Sequence, residues 1–195
     1  MTNKQIQALG NFLNYYQTDL NYIKQFQDFK SNKIKPEKYI EKVPGSFYSF
    51  LIEFRVIRNL PKQTVGVLLI ETLNWINSAN ADDVDLFANR LAEKGITKGV
   101  MTSMASKILF LNNPWKILPM DSLARKTLNQ KQNIYSIYNN NIKIFIKENE
   151  STVDSILNYT ESLTRIIHKE FLGLNDLNAI CKNRIIDKIL WTLGK

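Results

Sequence analysis

The sequence predicts an all-α fold. Apolar residues recur at intervals of three and four along most of the 195 residues, which is the spacing of an amphipathic helix. No stretch of useful length alternates apolar and polar residues as a half-buried strand does. Proline, glycine, serine and aspartate separate the apolar stretches at positions typical of helix ends. The hydrophobic content of 44% is ample for a packed core.

The first half of the chain predicts five helices with recognisable starts. Serine and aspartate are favoured as N-caps, and proline is favoured in the first turn. The expected helices cover residues 3–16, a segment from about Asp19, a segment from Pro36, the apolar stretch Phe47–Ile57 behind the N-cap Ser46, and a segment from Pro61.

The second half follows the same rules. Gly95 is a natural residue just past the end of a helix, where a left-handed conformation is common. In the helix that Ser151 is expected to cap, Leu163 and Ile166 belong to the predicted inward face. The expected helices begin at Asp82 or Asp83, near Ser103, at Asp121, at Ile134, at Ser151, and at Asn175 or Asp176.

The charge of the chain favours an anionic partner. Its 26 lysine and arginine residues against 18 aspartate and glutamate residues give a net charge of +8. Between Gly95 and Lys147 there are eight basic residues and a single acid, Asp121. Nucleic acid is the first expectation and an acidic membrane surface the second, while a basic protein without such a partner stays open.

Cysteine, histidine and long apolar runs are scarce. Cys181 is the only cysteine, which excludes an intrachain disulfide, a four-cysteine iron–sulfur cluster and a cysteine-based zinc site. His168 is the only histidine, so a histidine-based metal site is not expected. The N-terminus lacks the apolar core of a signal peptide, and no run approaches eighteen apolar residues. We expect a cytoplasmic protein without a membrane span or a bound metal.

The segment from Asp82 to Leu128 organises the chain. It predicts a helix, a tight turn, a second helix, a short loop, and an aspartate that opens another helix. The turn carries the sequence GVMTSMA (residues 99–105), and Pro-Met-Asp (119–121) places Asp121 16 residues after the alanine of that turn. This order and spacing resemble the helix-hairpin-helix core of the base-excision DNA glycosylases. The family's second hairpin glycine is replaced by Met101, and its proline by Lys98.

The resemblance implies one glycosylase-like domain over residues 1–195, with its core at 82–128. Such a domain is a bundle of about nine or ten helices in two lobes with a cleft between them. The expected partner is double-stranded DNA with a flipped base, bound by a monomer. No cofactor is implied, although a monovalent cation at the hairpin is compatible with the family. The residues expected to contact DNA are Lys98, Gly99, Met101, Thr102, Ser103, Arg125 and Lys126.

The resemblance makes Asp121 the catalytic carboxylate. Breaking a base–sugar bond creates positive charge on the sugar, and a carboxylate beside C1′ stabilises that charge and orients the water. An aspartate before Ser-Leu-Ala is also a good N-cap, and the two roles are compatible.

Ser103 bears on the type of reaction. Family members that also nick DNA carry a lysine at this position, which forms a Schiff base with the sugar. Adenine-specific mismatch members similarly have a serine, so the resemblance implies a monofunctional glycosylase. Lys107, one helical turn later, is either a displaced catalytic residue or a phosphate contact, and Lys98 is a weaker candidate of the same kind.

Three aromatic residues are candidates for holding or displacing a base. Phe47 and Tyr48 offer flat apolar faces of the kind that hold a flipped base. Trp115 lies in the loop shortly before Asp121 and is a candidate wedge. Core packing is the alternative interpretation for these side chains.

Two other functions remain open. A helix-hairpin-helix protein can bind DNA without breaking a bond. Alternatively, the motif is accidental and the chain is a different all-α protein, such as a partner-binding or host–phage conflict factor. A glycosylase that acts on modified phage DNA would combine the glycosylase function with that of a host–phage conflict factor.

Overall fold

The computed structural model describes residues 2–61 and 64–195, and this part of the chain is all-α, as predicted. None of its helices is both long enough and apolar enough to cross a bilayer. A short 3-10 helix lies at Ile57–Asn59. The α-helices are α1 (Asn3–Lys30), α2 (Pro36–Tyr39), α3 (Phe47–Glu53), α4 (Val65–Ile76), α5 (Val84–Glu93), α6 (Thr102–Asn112), α7 (Ser122–Thr127), α8 (Tyr135–Glu148), α9 (Glu150–His168) and α10 (Leu177–Leu193).

The chain forms two compact units. The terminal unit consists of Met1–Leu20 and Leu118–Lys195, and the central unit consists of Asn21–Ile117. Helix α1 contributes its first part to the terminal unit and its last part to the central unit. In the terminal unit α10 packs mainly on α7 and α9, whereas in the central unit α6 packs mainly on α5 and α4.

Helix α1 is one continuous helix of 28 residues, so the prediction of two helices with a start at Asp19 was wrong. Asp19 is a buried charge partner. Its carboxylate accepts a hydrogen bond from Nε of Arg184 in α10 at 2.8 Å and lies 2.7 Å from Nη2, and the Asp187 carboxylate lies 3.1 Å from the same guanidinium. Buried charges need such partners, and this ion group ties α1 to α10 within the terminal unit.

The core of the central unit is largely aromatic. Its rings follow one another with centroid separations between 4.3 and 6.5 Å, a range in which aromatic pairs contribute beyond their buried area. These rings belong to Phe26, Phe29, Tyr39, Phe47, Phe50, Phe54 and Phe110.

Several helix ends of the central unit differ from the prediction. Helix α3 begins at Phe47 as expected but ends at Glu53, because the backbone turns left-handed at Arg55 (φ 57°). Helix α4 begins at Val65, later than the predicted start at Pro61. Positions 62 and 63 between them lie outside the described residues.

Most predicted N-caps are confirmed. Each confirmed cap accepts a hydrogen bond from the backbone N–H three residues later, at 2.8–3.2 Å. Ser151 is the exception, because α9 begins at Glu150 and Asn149 is its N-cap. The confirmed caps are Ser46, Asp83, Asp121 and Asp176.

The inward face of α9 was predicted wrongly in its second half. Leu163 and Ile166 are 47% and 62% exposed. Thr160 and Thr164 are buried instead, and their hydroxyls donate to carbonyls one turn earlier in the same helix, at 2.9 and 3.1 Å. A threonine that satisfies its hydroxyl in this way fits a buried helix face, where the apolar pattern gives no sign of it.

Candidate DNA interface and active site

The hairpin α5–turn–α6 lies in the central unit, and its first helix ends as the sequence predicts. Gly95 has a φ of +65° and follows the C-cap of α5. The Gly95 N–H bonds to the Ala92 carbonyl at 2.9 Å, and the Ile96 N–H bonds to the Leu91 carbonyl at 3.0 Å. These two bonds define a Schellman motif, with Ile96 and Leu91 both buried against the helix end.

The turn before α6 leaves space at the backbone of Gly99. The φ of Gly99 is not positive, and a Cβ on this residue would meet no atom within 4 Å. Neither conformation nor packing therefore requires a glycine here. The Thr97 hydroxyl donates to the Gly99 carbonyl at 2.7 Å and orders the turn. Met101, the N-cap residue of α6, supplies no side-chain cap, which suits a helix N-terminus that receives an anion.

The side chains predicted to contact DNA differ in exposure. Lys98 and Lys126 are exposed, whereas Thr102 is buried. The Arg125 guanidinium donates to the Lys131 carbonyl at 3.0 Å, so part of it closes the turn that follows α7. Half-buried positions belong to Gly99, Met101, Ser103 and Arg125.

Lys107 has an acceptor inside the central unit. Its Nζ donates to the Phe54 carbonyl at 3.0 Å, and the side chain is half-buried. This contact joins α6 to the C-terminal end of α3. A catalytic or phosphate-binding role for Lys107 stays a prediction.

Asp121 lies in the terminal unit and begins α7. Its backbone is extended (φ −139°, ψ 177°), its side chain is half-buried, and its Oδ1 accepts the Ala124 N–H at 2.8 Å. The predicted N-cap is therefore confirmed. The hydrogen bond also fixes the rotation of the carboxylate, which a stabilising anion requires. Catalysis by this group stays a prediction.

Two tyrosines of α8 fix the backbone that leads to Asp121. The Tyr135 hydroxyl accepts the Leu118 N–H at 3.0 Å and donates to the Leu118 carbonyl at 3.1 Å. The Tyr138 hydroxyl donates to the Pro119 carbonyl at 3.2 Å. Both tyrosines are buried, so these bonds satisfy backbone groups that water does not reach.

The electrostatic surroundings keep Tyr138 a neutral donor. Burial raises the pKa of Tyr138 well above its ordinary value, and the carboxylates of Asp187 and Asp121 raise it further. Asp187 also belongs to the buried ion group of Arg184. The pKa of Tyr138 therefore depends on the charges of both the ion group and Asp121. Sequence analysis missed both α8 tyrosines, and their one signal is a pair at positions i and i+3 in the first turn of a helix.

The aromatic candidates are placed differently from one another. Phe47 is fully buried, with ring centroids 6.0 Å from Tyr39 and 6.4 Å from Phe50, so it packs in the core as the alternative interpretation held. Tyr48 and Trp115 are half-buried. These two residues keep part of their surface available to a base.

Possible metal ligands, the histidine and the cysteine are the remaining candidates for chemistry. Across the described residues, no group of three or more His, Cys, Asp or Glu side chains is arranged to hold a metal ion. The Tyr16 hydroxyl lies 2.7 Å from Nε2 of His168. Burial raises the pKa of the Cys181 thiol to about 11, which disfavours the reactive thiolate.

Comparisons with models of protein families, with curated proteins and with solved structures found no match. The hairpin, the exposed lysines and the fixed segment before Asp121 are accordingly the features from which a function is inferred.

Proposed function

We propose that this protein is a monofunctional DNA glycosylase that hydrolyses the bond between deoxyribose and a damaged or modified base. One observation carries the proposal: a helical hairpin is followed, 16 residues after Ala105, by Asp121 with its carboxylate oriented at the start of α7. Asp121 is the only acid between residues 95 and 147, a segment with eight basic residues. A lone carboxylate in a basic segment suits chemistry on a polyanion.

The hairpin supplies the proposed phosphate contact. Backbone amides at the N-terminus of α6 carry partial positive charge, and Met101 places no side-chain acceptor on them. Gly99 leaves room for a phosphate to approach the backbone, and the exposed Lys98 adds a positive charge beside it. Binding through such contacts fixes the register of the DNA without reading its sequence.

Asp121 supplies the proposed chemistry. As the bond between C1′ and the base nitrogen breaks, its electron pair leaves with the base and positive charge develops on the sugar. The carboxylate stabilises that charge and orients a water whose oxygen bonds to C1′. The attacking water loses one proton to Asp121, which passes it to solvent, and the departing base nitrogen takes up one proton from solvent. The products are the free base and an abasic site.

The proposal is tested with duplexes that carry a panel of oxidised, alkylated, mismatched and hypermodified bases. We expect free base from at least one duplex, with strand breakage only after hot alkali. We expect no covalent complex after borohydride treatment, because Ser103 stands where lyase members have their lysine. A borohydride-trapped complex would show lyase chemistry, and a complete lack of base release across the panel would reject the enzyme.

A non-catalytic DNA-binding module is the second candidate function. The observation that favours it is the capping role of Asp121, which Asp83 and Asp176 perform in the same way elsewhere in the chain. Capping alone is thus a sufficient structural reason for an aspartate at this position. Salt-sensitive binding is expected of both functions, so base release is the observation that separates them.

A further inference from the structure

Among the residues that the structure describes, four helices end in the same way. Each has a residue with positive φ just past its C-cap, and the N–H groups of that residue and of the next one donate to carbonyls of the last helical turn, as a Schellman motif requires. At the end of α3, the Arg55 N–H bonds to the Ile52 carbonyl and the Val56 N–H bonds to the Leu51 carbonyl, both at 2.9 Å. The four positive-φ residues are Asn32 (58°), Arg55 (57°), Gly95 (65°) and Asn129 (51°).

Arg55 is the exception among these residues. Glycine and asparagine enter the left-handed region readily, whereas other L-residues crowd Cβ against the following carbonyl. In the described part of the chain, the other non-glycine residues with positive φ are asparagine or aspartate. The fold therefore carries strain at Arg55 that a glycine or an asparagine would relieve.

The fold gains little from the Arg55 side chain. It is exposed and makes no hydrogen bond, ion pair or ring contact with any residue that the structure describes. A basic side chain can cap a helix by meeting its last carbonyls. At α3, however, the Phe54 carbonyl is already met by the Lys107 ammonium at 3.0 Å.

The chain around Arg55 carries more basic than acidic side chains. Arg58 is exposed three residues later, and the Lys107 ammonium lies at the end of the same helix. Glu53, the acid nearest in sequence, accepts a hydrogen bond from the Tyr22 hydroxyl at 2.6 Å. An unpaired guanidinium in this setting suits a phosphate, because its planar fork binds two phosphate oxygens at once.

We propose that Arg55 binds a backbone phosphate of DNA, as a contact additional to the α5–α6 hairpin. The assignment rests on the proposed function for the identity of the anion. Strained residues that persist without a structural benefit mark functional positions, and the exposed guanidinium supplies the reason here. Because the contact is to the backbone, it strengthens binding without taking part in base release.

The test uses two substitutions to glycine at matched positions. Arg55→Gly relieves the strain and removes the guanidinium. Asn32→Gly also introduces a glycine at a left-handed position, but it leaves the net charge unchanged. We expect neither variant to melt below the wild type. For Arg55→Gly we expect duplex affinity to fall about five- to tenfold at low salt, with the salt dependence reduced by roughly one counterion. Asn32→Gly should bind as the wild type does.

Three results would overturn the assignment, each in a distinguishable way. If the wild type binds duplex DNA and Arg55→Gly binds equally well, Arg55 makes no phosphate contact, while the proposed function is unaffected. If Arg55→Gly melts well below the wild type, the side chain is structural. If the wild type binds no duplex, both proposals fail.

Discussion

Replacing Tyr135 with phenylalanine should destabilise the terminal unit although it removes a single oxygen atom. That hydroxyl is the partner of both the N–H and the carbonyl of Leu118, at 3.0 and 3.1 Å. Tyr135 is 7% exposed and Leu118 is 5% exposed, so water cannot readily replace the lost contacts. Each buried group left without a partner costs about 1–3 kcal/mol. We therefore expect a loss of at least about 2 kcal/mol, because two groups are affected.

The assay is thermal unfolding followed by circular dichroism. For a chain of this size, about 2 kcal/mol lowers Tm by roughly 4–8 °C. Tyr138→Phe should show about half the effect, since it removes one bond, the one to the Pro119 carbonyl. Tyr159→Phe is the matched control, because Tyr159 is 65% exposed and should change stability by less than about 0.5 kcal/mol. Equal melting of Tyr135→Phe and Tyr159→Phe would refute the reasoning.

Three further predictions concern stability and are measured by denaturant unfolding. Gly10→Ala should stabilise α1 by about 0.5–1 kcal/mol, because the added Cβ enters open space. Gly194→Ala should destabilise the protein by roughly 1–3 kcal/mol, because the added Cβ would lie 2.2 Å from the Leu123 carbonyl oxygen. Equal effects of the two substitutions would contradict this. Arg184→Met should cost about 3–5 kcal/mol, since it leaves the buried Asp19 carboxylate without its cation and leaves Asp187 only Lys188, at 3.6 Å. A neutral effect would show that the ion group is dispensable. Burial lowers the pKa of His168, so the unfolded chain binds this proton at a higher pH than the folded one, and stability should fall as pH drops below about 6.5. A wild-type slope in that range equal to the slope of His168→Gln would disprove it.

Local signals sufficed for much of the fold. Asp83 and Asp121 indicate helix starts, because an aspartate just before a helix can cap it through its own side chain, without a distant residue. Gly95 likewise indicates a helix end, because glycine adopts the left-handed conformation readily wherever it lies in the chain. Asp121 and Gly95 were predicted in these roles, and Asp83 was one of the two caps predicted for α5.

The errors have three different causes. Asp19 was predicted to lie at the start of a second helix, but Arg184, 165 positions later in the chain, pairs with its carboxylate in the core, and α1 continues through this position. Arg55 ends α3 although arginine gives no signal for a left-handed turn. The buried face of α9 includes Thr160, whose hydroxyl bonds to its own helix and so escapes an apolar pattern.

Some features of the candidate site follow from local sequence, and others depend on contacts between residues that are distant in sequence. The two helices of the hairpin and the cap at Asp121 depend on short stretches of sequence, and both were predicted from the sequence. Tyr135 and Tyr138 were not, because nothing near them in sequence indicates that α8 supplies hydrogen bonds to residues 118 and 119. Likewise, the sequence alone does not give Lys107 its acceptor, the Phe54 carbonyl.

The central claim is that Asp121 acts on DNA and does more than cap α7. The most direct measurement compares base release by Asp121→Asn with base release by Asp83→Asn under single-turnover conditions. Both aspartates cap a helix through one carboxylate oxygen, at 2.8 and 2.9 Å, and asparagine preserves such a cap. We predict that both variants melt like the wild type, that Asp83→Asn keeps its rate, and that Asp121→Asn loses on the order of 100-fold or more. Equal rates in the two variants would contradict the claim.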